Sequence, residues 1–220
     1  MRTDADTATM PEAWGGAPSK PLEALVLDLD GVLRMWDPAI ITDAERDNGL
    51  PTGCLSAVVF GDAGLLQRAI TGAITDDQWR EEISDSLETH YGVAARKAVA
   101  QWSIPAGTVD EEILTIIRRE RKRRMVALFS NATTRLESDL SCLDLTDEFD
   151  AIFNSSALGA AKPSPESFRA VLAGLGVSAA RCLFVDDTLA NTRSAETLGF
   201  TAHHFTGARA LEEFLSSHSG

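Results

Sequence analysis

Four short strings of carboxylate, hydroxyl and lysine side chains occur in a fixed order along the sequence. They are Asp28-Leu29-Asp30-Gly31-Val32, Phe129-Ser130-Asn131, Ala161-Lys162-Pro163 and Val185-Asp186-Asp187-Thr188. The first and last follow strongly apolar runs, which predicts that their carboxylates lie at the ends of buried strands. A carboxylate in such a place is costly unless a cation or a reacting ligand compensates its charge. Together the strings predict a metal-dependent site for phosphoryl transfer.

Each string taken alone also has a purely structural explanation. Asp28 or Asp30 could cap the end of a strand, and Ser130-Asn131 could form a turn. Lys162-Pro163 is typical of a loop, and Asp186-Asp187 could cap the N-terminus of a helix. The hypothesis of a catalytic site therefore depends on the four strings occurring together and in this order.

The composition narrows the class of partner. The chain has 220 residues, with 44% hydrophobic and 24% charged residues, which is ordinary for a soluble globular protein. Its 20 Lys and Arg against 33 Asp and Glu give a formal net charge of −13. This charge argues against a nucleic-acid binder or an anionic-membrane binder. A small phosphorylated metabolite remains compatible, provided that a local cationic side chain and a metal ion receive its phosphate.

The sequence also predicts a compartment. No stretch approaches the ~18 consecutive apolar residues that span a bilayer, and the N-terminal region has no apolar secretion core. The three cysteines (Cys54, Cys142 and Cys182) are too few and too far apart for a disulfide framework or a zinc site. We therefore expect a cytoplasmic protein without a membrane partner.

The elements that must position the strings fall into two kinds. Residues 22–27 and the alternating strand and helix patterns after residue 107 predict an α/β fold, a Rossmann-like parallel sheet with helices on both faces. Predicted strands cover 125–129, 151–153, 182–185 and 200–204, and predicted helices cover 109–121, 165–175, 189–198 and 208–215, with another from about 133. Ligands of such sheets bind beyond the carboxyl ends of the strands, where all four strings fall.

Between residues 43 and 103 the pattern is helical throughout. Thr75 and Gln78 form a predicted capping box, and the helix that follows should bury Trp79, Ile83 and Leu87 before it ends near residue 91. We therefore expect three units, divided as follows: a mobile tail over 1–20, a catalytic core over 21–42 and 104–220, and a small helical cap over 43–103 inserted after the first strand.

In this order the four strings resemble the four motifs of the haloacid dehalogenase (HAD) superfamily. The resemblance runs from about Leu22 to His204, and the position of the insert resembles the helical cap of subfamily I. Within the insert, Gly72-Ala73-Ile74-Thr75 and Trp79 are similar to the caps of two phosphatase groups. These are the sugar-phosphate phosphatases of the glucose-1-phosphate phosphatase type and the phosphatase domain of soluble epoxide hydrolase.

The resemblance implies a mechanism and a Mg²⁺ cofactor. Asp28 would be the nucleophile that forms an aspartyl-phosphate, and Asp30 the general acid and then the general base. The implied metal set is Asp28, Asp30 through its backbone carbonyl, Asp187 directly, and Asp186 more often through water. Asn191, one helical turn after Asp187, could orient this shell, although many relatives carry a carboxylate there.

The same resemblance assigns the phosphate contacts. Ser130, Asn131 and Lys162 would bind the substrate phosphate, and Lys162 would also keep Asp28 ionised. The cap should gate access to the site. Beside it, Arg34 could meet a second anionic group of the substrate, and Trp36 either stacks on a leaving group or packs at the hinge.

The expected activity is hydrolysis of a small phosphate monoester by a monomer or homodimer. A phosphomutase would use the same two aspartates, and a non-catalytic phosphate-binding protein would keep the same motifs. A dehalogenase of the superfamily works without a second aspartate or a metal, so Asp30 and the pair Asp186-Asp187 argue against it. A phosphonatase needs a cap lysine, and Lys97, on a predicted polar helix, is a poor candidate.

Overall fold

The computed structural model describes residues 22–219, so the tail predicted for residues 1–20 lies outside the described part of the chain. The strands are β1 (Ala24–Leu27), β2 (Arg34–Met35), β3 (Thr108–Val109), β4 (Met125–Ser130), β5 (Ala151–Asn154), β6 (Cys182–Asp186) and β7 (Thr201–His204). The helices are α1 (Ala39–Asp47), α2 (Cys54–Gly61), α3 (Ala63–Ile70), α4 (Asp76–Tyr91), α5 (Val93–Trp102), α6 (Glu111–Glu120), α7 (Leu136–Cys142), α8 (Ser155–Leu158), α9 (Pro165–Leu175), α10 (Leu189–Thr197) and α11 (Ala208–Ser217).

Five strands form a parallel sheet in the order β5-β4-β1-β6-β7. The central strand β1 pairs with β4 on one side and β6 on the other, and Leu27 lies opposite both Leu128 and Val185. This register brings the carboxyl ends of β1, β4 and β6 to one edge. The α/β fold class with a Rossmann-like parallel sheet is confirmed.

Residues alternate between the two faces of the sheet, as the pleat requires. Leu25 and Leu27 of β1 belong to a cluster that packs against α6, α7 and α11, whereas Ala24 and Val26 belong to the cluster that packs against α9 and α10. Both clusters are buried, which explains why the strands consist of continuous apolar runs. The predicted helices on both faces are confirmed.

Helices α1 to α5 lie between β2 and β3 and have a hydrophobic core of their own. The capping box is confirmed, because the Thr75 hydroxyl accepts from the Gln78 backbone N–H at 3.2 Å and the Gln78 side chain accepts from the Thr75 N–H at 2.9 Å. Trp79, Ile83 and Leu87 are buried in this core. The first of these helices begins at Ala39, ahead of residue 43, and the division into cap and core at 43–103 stays a prediction.

The sequence did not reveal the antiparallel pair β2–β3, in which Arg34 lies opposite Val109. Strands of two residues are too short to display an alternating pattern. Because Val109 belongs to this pair, the helix predicted from 109 begins at Glu111, with the Asp110 carboxylate accepting from two early N–H groups. Among the described residues, no helix combines the length and the apolar character that crossing a bilayer would need.

Candidate active site

The carboxyl edge of the sheet brings all four strings into direct contact through Lys162. Lys162, in the loop before α9, has a fully buried side chain whose ammonium lies 2.8 Å from Asp28 and 2.7 Å from Asp186. It also donates to the backbone carbonyl of Phe129 at 2.8 Å. These three contacts match the three N–H donors of an ammonium group. The lysine therefore places one positive charge between two buried acids from two neighbouring strands.

Asp28 follows β1 and is almost fully buried. Its Oδ1 accepts from the Leu29 backbone N–H at 2.7 Å and from Lys162, so Oδ2 is the oxygen left for a ligand. Burial raises the pKa of Asp28 to about 7, an effect that the Lys162 charge opposes and the Asp186 charge reinforces. A divalent cation beside this carboxylate would lower its pKa and favour the ionised form.

Asp186 ends β6 and is completely buried. Its carboxylate accepts from the Thr188 backbone N–H at 2.8 Å and from the Asn191 side-chain amide at 2.9 and 3.0 Å, in addition to Lys162. With this many donors, Asp186 is held in one orientation. Asn191 therefore contacts the predicted metal shell through Asp186.

Asp187 is exposed to solvent and lies beside the two buried acids. One ligand oxygen each from Asp28, Asp186 and Asp187 lie within 4.8 Å of one another, the spacing of a group that can share an ion. Gly31, with φ +75°, makes room for this arrangement, because a Cβ there would lie 2.1 Å from Asp187 Oδ2. Oxygen donors alone suit a hard cation such as Mg²⁺, so these residues fit the predicted metal.

The carboxylate of Asp30 lies in a different environment from this cluster. It accepts from the Arg34 guanidinium at 2.7 and 2.9 Å and from the Trp36 indole N–H at 2.7 Å. Arg34 is itself buried, and its guanidinium also donates to the Asp139 carboxylate at 3.0 Å. Because its donors serve these two carboxylates, the expectation that Arg34 meets a substrate anion is not supported.

Trp36 contacts the residues around Asp30 and also lines the cavity, and its stacking on a leaving group stays a prediction. Its indole N–H holds Asp30, and the Arg34 guanidinium lies 4.7 Å from the centre of its ring. The same ring is 43% exposed and lines the cavity above the site. Packing at the hinge therefore leaves part of the ring available to a ligand.

The predicted phosphate-binding residues differ in which of their hydrogen-bonding groups are free. The Ser130 hydroxyl, at the end of β4, is buried and has no hydrogen-bond partner within the described residues. The Asn131 side chain accepts from the Lys162 N–H at 2.8 Å and donates to the Lys162 carbonyl at 2.9 Å. One N–H of the Asn131 amide is not used in these two bonds. The Asn131 side chain positions Lys162 through them.

The helical segment is docked onto the loop after β4. The Asp76 carboxylate accepts from the Thr133 hydroxyl at 2.7 Å, and the Asp76 N–H donates to the Thr134 hydroxyl at 2.9 Å. The Ser155 hydroxyl donates to the carbonyl of Ile70 at 2.6 Å. Sequence reasoning missed these residues because each pair is separated by more than fifty positions and belongs to no motif. They fix the helices directly above the carboxyl edge.

A cavity of about 490 Å³ lies between the helical segment and the sheet edge. Asp30, Asn131 and Thr133 line it on the side of the sheet, and Trp79, Arg80 and Trp102 line it on the side of the helices. Its volume is within the usual range of ligand sites, about 300–1,000 Å³. The loops that carry the predicted catalytic groups therefore border the cavity.

Comparison with known proteins agrees with this geometry. The model of a family described as haloacid dehalogenase-like hydrolase matches residues 22–199. The chain is 31% identical over 190 residues to a phosphatase of Mycobacterium tuberculosis, covering 83% of this chain and 86% of the relative. It is 24% identical over 192 residues to a sesquiterpene phosphatase of Aspergillus oryzae, covering 86% and 92%.

Among solved structures, the fold matches a HAD family enzyme of Bacteroides thetaiotaomicron that was solved as a magnesium complex. The TM-score is 0.70 at 21% sequence identity, and the match covers 85% of this chain and 94% of the other. At this identity the similarity establishes the fold.

Proposed function

This chain belongs to the haloacid dehalogenase-like hydrolase family, and we propose that it is a Mg²⁺-dependent phosphatase of a small phosphate monoester. One observation carries the proposal: Lys162 lies between Asp28 and Asp186, with an oxygen of Asp187 within 4.8 Å of theirs. A buried lysine and three acids at one sheet edge form a site for an anion together with a cation. The phosphatase relatives and the magnesium complex of the structural relative support the same conclusion.

The first half-reaction uses Asp28 as nucleophile. Its Oδ2 attacks phosphorus, the ester P–O bond breaks, and the bonding electrons leave with the alcohol oxygen. Lys162 orients Asp28 through Oδ1 and favours its ionised form. The unpartnered hydroxyl of Ser130 donates to a phosphate oxygen. The product is an aspartyl-phosphate and a free alcohol.

Asp28, Asp186 and Asp187 would hold Mg²⁺. The resemblance to the family adds the Asp30 backbone carbonyl and implies that Asp186 acts through water. When bound, the ion supplies positive charge to the phosphoryl oxygens and orients them for in-line attack. The residues contribute the arrangement of that shell. Asn191 and Lys162 hold Asp186, and Gly31 admits Asp187.

Asp30 acts as general acid on the leaving oxygen and then as general base toward water that attacks the aspartyl-phosphate. For either role its carboxylate must exchange the contacts with Arg34 and Trp36 for contacts with the reacting oxygen. We expect Asp30→Asn to slow both half-reactions. Rapid-quench measurement of the phosphoenzyme, which would then form slowly and decay slowly, tests this role.

Release of inorganic phosphate from a panel of phosphate monoesters, with Mg²⁺ and with a chelator, tests the proposal. We expect turnover that requires Mg²⁺ and is abolished in Asp28→Asn, because an amide is a far weaker nucleophile than a carboxylate. Asp144→Asn is the matched control, because Asp144 is exposed and its φ of 56° also suits asparagine.

The alternatives predict different products. Isomerised sugar phosphate without phosphate release would indicate a phosphomutase. Binding of Mg²⁺ and phosphate by a folded protein that releases phosphate from no ester would indicate a non-catalytic binding protein.

A further inference from the structure

The cavity above the site contacts the residues through which a leaving group must pass. Asp30, the proposed acid for the leaving oxygen, lines it together with Asn131 and Thr133 of the loop after β4. A phosphate held at Asp28 and Lys162 would therefore direct its ester group into this space. The chemistry of the cavity walls then determines which alcohol the site accepts.

The walls are largely aromatic and aliphatic. Trp36 and Phe60 line the cavity as exposed side chains, and Leu66, Trp79 and Trp102 complete the apolar surface. Trp79 and Trp102 pack edge to face, with ring centres 5.6 Å apart. The indole N–H of Trp79 is buried and has no hydrogen-bond partner among the described residues.

The cations of the described lining are already paired. Arg80 contacts Asp76 at 2.5 Å, and its guanidinium lies 4.6 Å from the centre of the Trp102 ring. Arg135 contacts Asp139 at 2.7 Å, and Arg34 contacts the same carboxylate at 3.0 Å. None of these arginines therefore presents an uncompensated charge to a second phosphate or a carboxylate of a ligand.

The neutral polar side chains of the lining are engaged as well. Thr133 donates to Asp76, and the Asn131 amide is bonded to the main chain of Lys162. A hydroxyl that leaves water for such a wall loses its hydrogen bonds without replacement, which costs roughly 1–3 kcal/mol per group. An alkyl or aryl group gains from the same transfer.

We propose that the alcohol part of the substrate is apolar, so that the preferred substrate is the phosphate monoester of a hydrophobic alkyl or aryl alcohol without a second charge. This inference rests on the proposed phosphatase function and specifies its substrate class. The proposed substrate class differs from the sugar phosphates of one of the two phosphatase groups whose caps resemble the helical insert. The described walls would bury the apolar surface of a ligand, and they offer it few free hydrogen-bonding groups.

The test is kcat/KM for ethyl, butyl and octyl phosphate and for glucose 6-phosphate, with Mg²⁺ and below any micelle concentration. Each methylene that enters the cavity should raise kcat/KM by about fourfold. Entry of only two of the six additional methylenes would give about sixteenfold, so octyl phosphate should exceed ethyl phosphate by at least about tenfold. Glucose 6-phosphate should be poorer than butyl phosphate. A flat series, or a preference for the sugar ester, would overturn the inference while leaving the phosphatase function intact.

Two wall variants and one matched control locate the effect. Phe60→Ser and Leu66→Ser should each lower the ratio of kcat/KM for octyl over ethyl phosphate by about threefold to tenfold, because apolar contact is lost. Val93→Ser is the control, since Val93 is 65% exposed like Phe60 at 62% but lies outside the cavity. Melting temperatures confirm that each variant folds. An unchanged ratio in both wall variants would contradict the proposed walls.

Binding separates the two proposals if the protein releases phosphate from no ester. Calorimetry with Mg²⁺ then compares octylphosphonate with ethylphosphonate, which cannot be hydrolysed. Tighter binding of the octyl compound, by at least about tenfold, would support the apolar cavity although the phosphatase function had failed. Equal affinities would overturn the inference as well.

Discussion

At the scale of single residues, the site depends on one buried cation. The ammonium of Lys162 has no exposure to solvent and makes its three contacts with Asp28, Asp186 and the Phe129 carbonyl. Two carboxylates at such short range repel each other unless a positive charge lies between them. Lys162 therefore contributes to stability and to the protonation state of Asp28, the proposed nucleophile, through the same contacts.

We expect Lys162→Met to destabilise the fold by about 3–5 kcal/mol, because two buried carboxylates lose their counter-ion. Turnover should fall by about a hundredfold or more, since the charge beside the phosphoryl group is lost. Urea unfolding and steady-state kinetics measure the two effects.

Lys97→Met provides the control for this substitution. Lys97 is exposed on α5, so its loss should change stability by less than about 0.5 kcal/mol and leave turnover unchanged. Loss of activity in this variant would instead support a role for the cap lysine, as in a phosphonatase. Unchanged stability of Lys162→Met would contradict the counter-ion role.

At the scale of elements, the turn after β1 decides whether the acids can meet. Gly31 has φ +75°, a region that side-chain-bearing residues rarely adopt, and the Asp187 carboxylate occupies the space of its missing Cβ. The turn thus serves two strands at once, by ending β1 and by admitting the loop after β6. A residue with a side chain could keep the turn only by displacing Asp187.

Gly31→Ala should therefore weaken Mg²⁺ binding by about tenfold or more, because Asp187 must move. Gly176→Ala is a matched control, since Gly176 has φ +69° but no atom within 4 Å of its Cβ position. Both variants should lose about 1–2 kcal/mol from backbone strain. Calorimetric titration with Mg²⁺ separates them, and equal affinities would contradict the close approach of Asp187.

At the scale of the whole molecule, a few hydrogen bonds hold the helical segment over the sheet edge. Asp76 at the start of α4 accepts from Thr133, and its N–H donates to Thr134, so both contacts join the segment to the loop after β4. That loop carries Ser130 and Asn131 at its start. The position of the helical segment and the geometry of the proposed phosphate site are therefore connected through one short piece of chain.

Thr133→Val should remove the contact to Asp76 while preserving the shape of the side chain. We expect KM for a turned-over ester to rise about threefold to tenfold with a smaller change in kcat, because the closed arrangement costs about 1 kcal/mol more. Thr197→Val, on the exposed side of α10, is the control. A variant with unchanged KM would show that this contact does not stabilise closure.

The sequence by itself determined the elements and the order of the chemical groups. The apolar run over 22–27 predicts a strand buried on both faces, and the capping box at Thr75 predicts the start of α4, because both signals act between neighbours along the chain. The parallel sheet follows from the alternation of strands and helices, and it places Asp28, Ser130 and Asp186 at one edge without further information.

Only the tertiary structure decided how these groups are paired. That Arg34 contacts Asp139 and that Asp76 contacts Thr133 depends on how distant segments pack, and neither pair carries a periodic or capping signal. The apolar cavity has the same origin, since its walls come from several helices and the sheet edge. Local sequence patterns specify helices and strands through interactions between neighbouring residues. Ion pairs and cavities between these elements arise from packing across the whole chain.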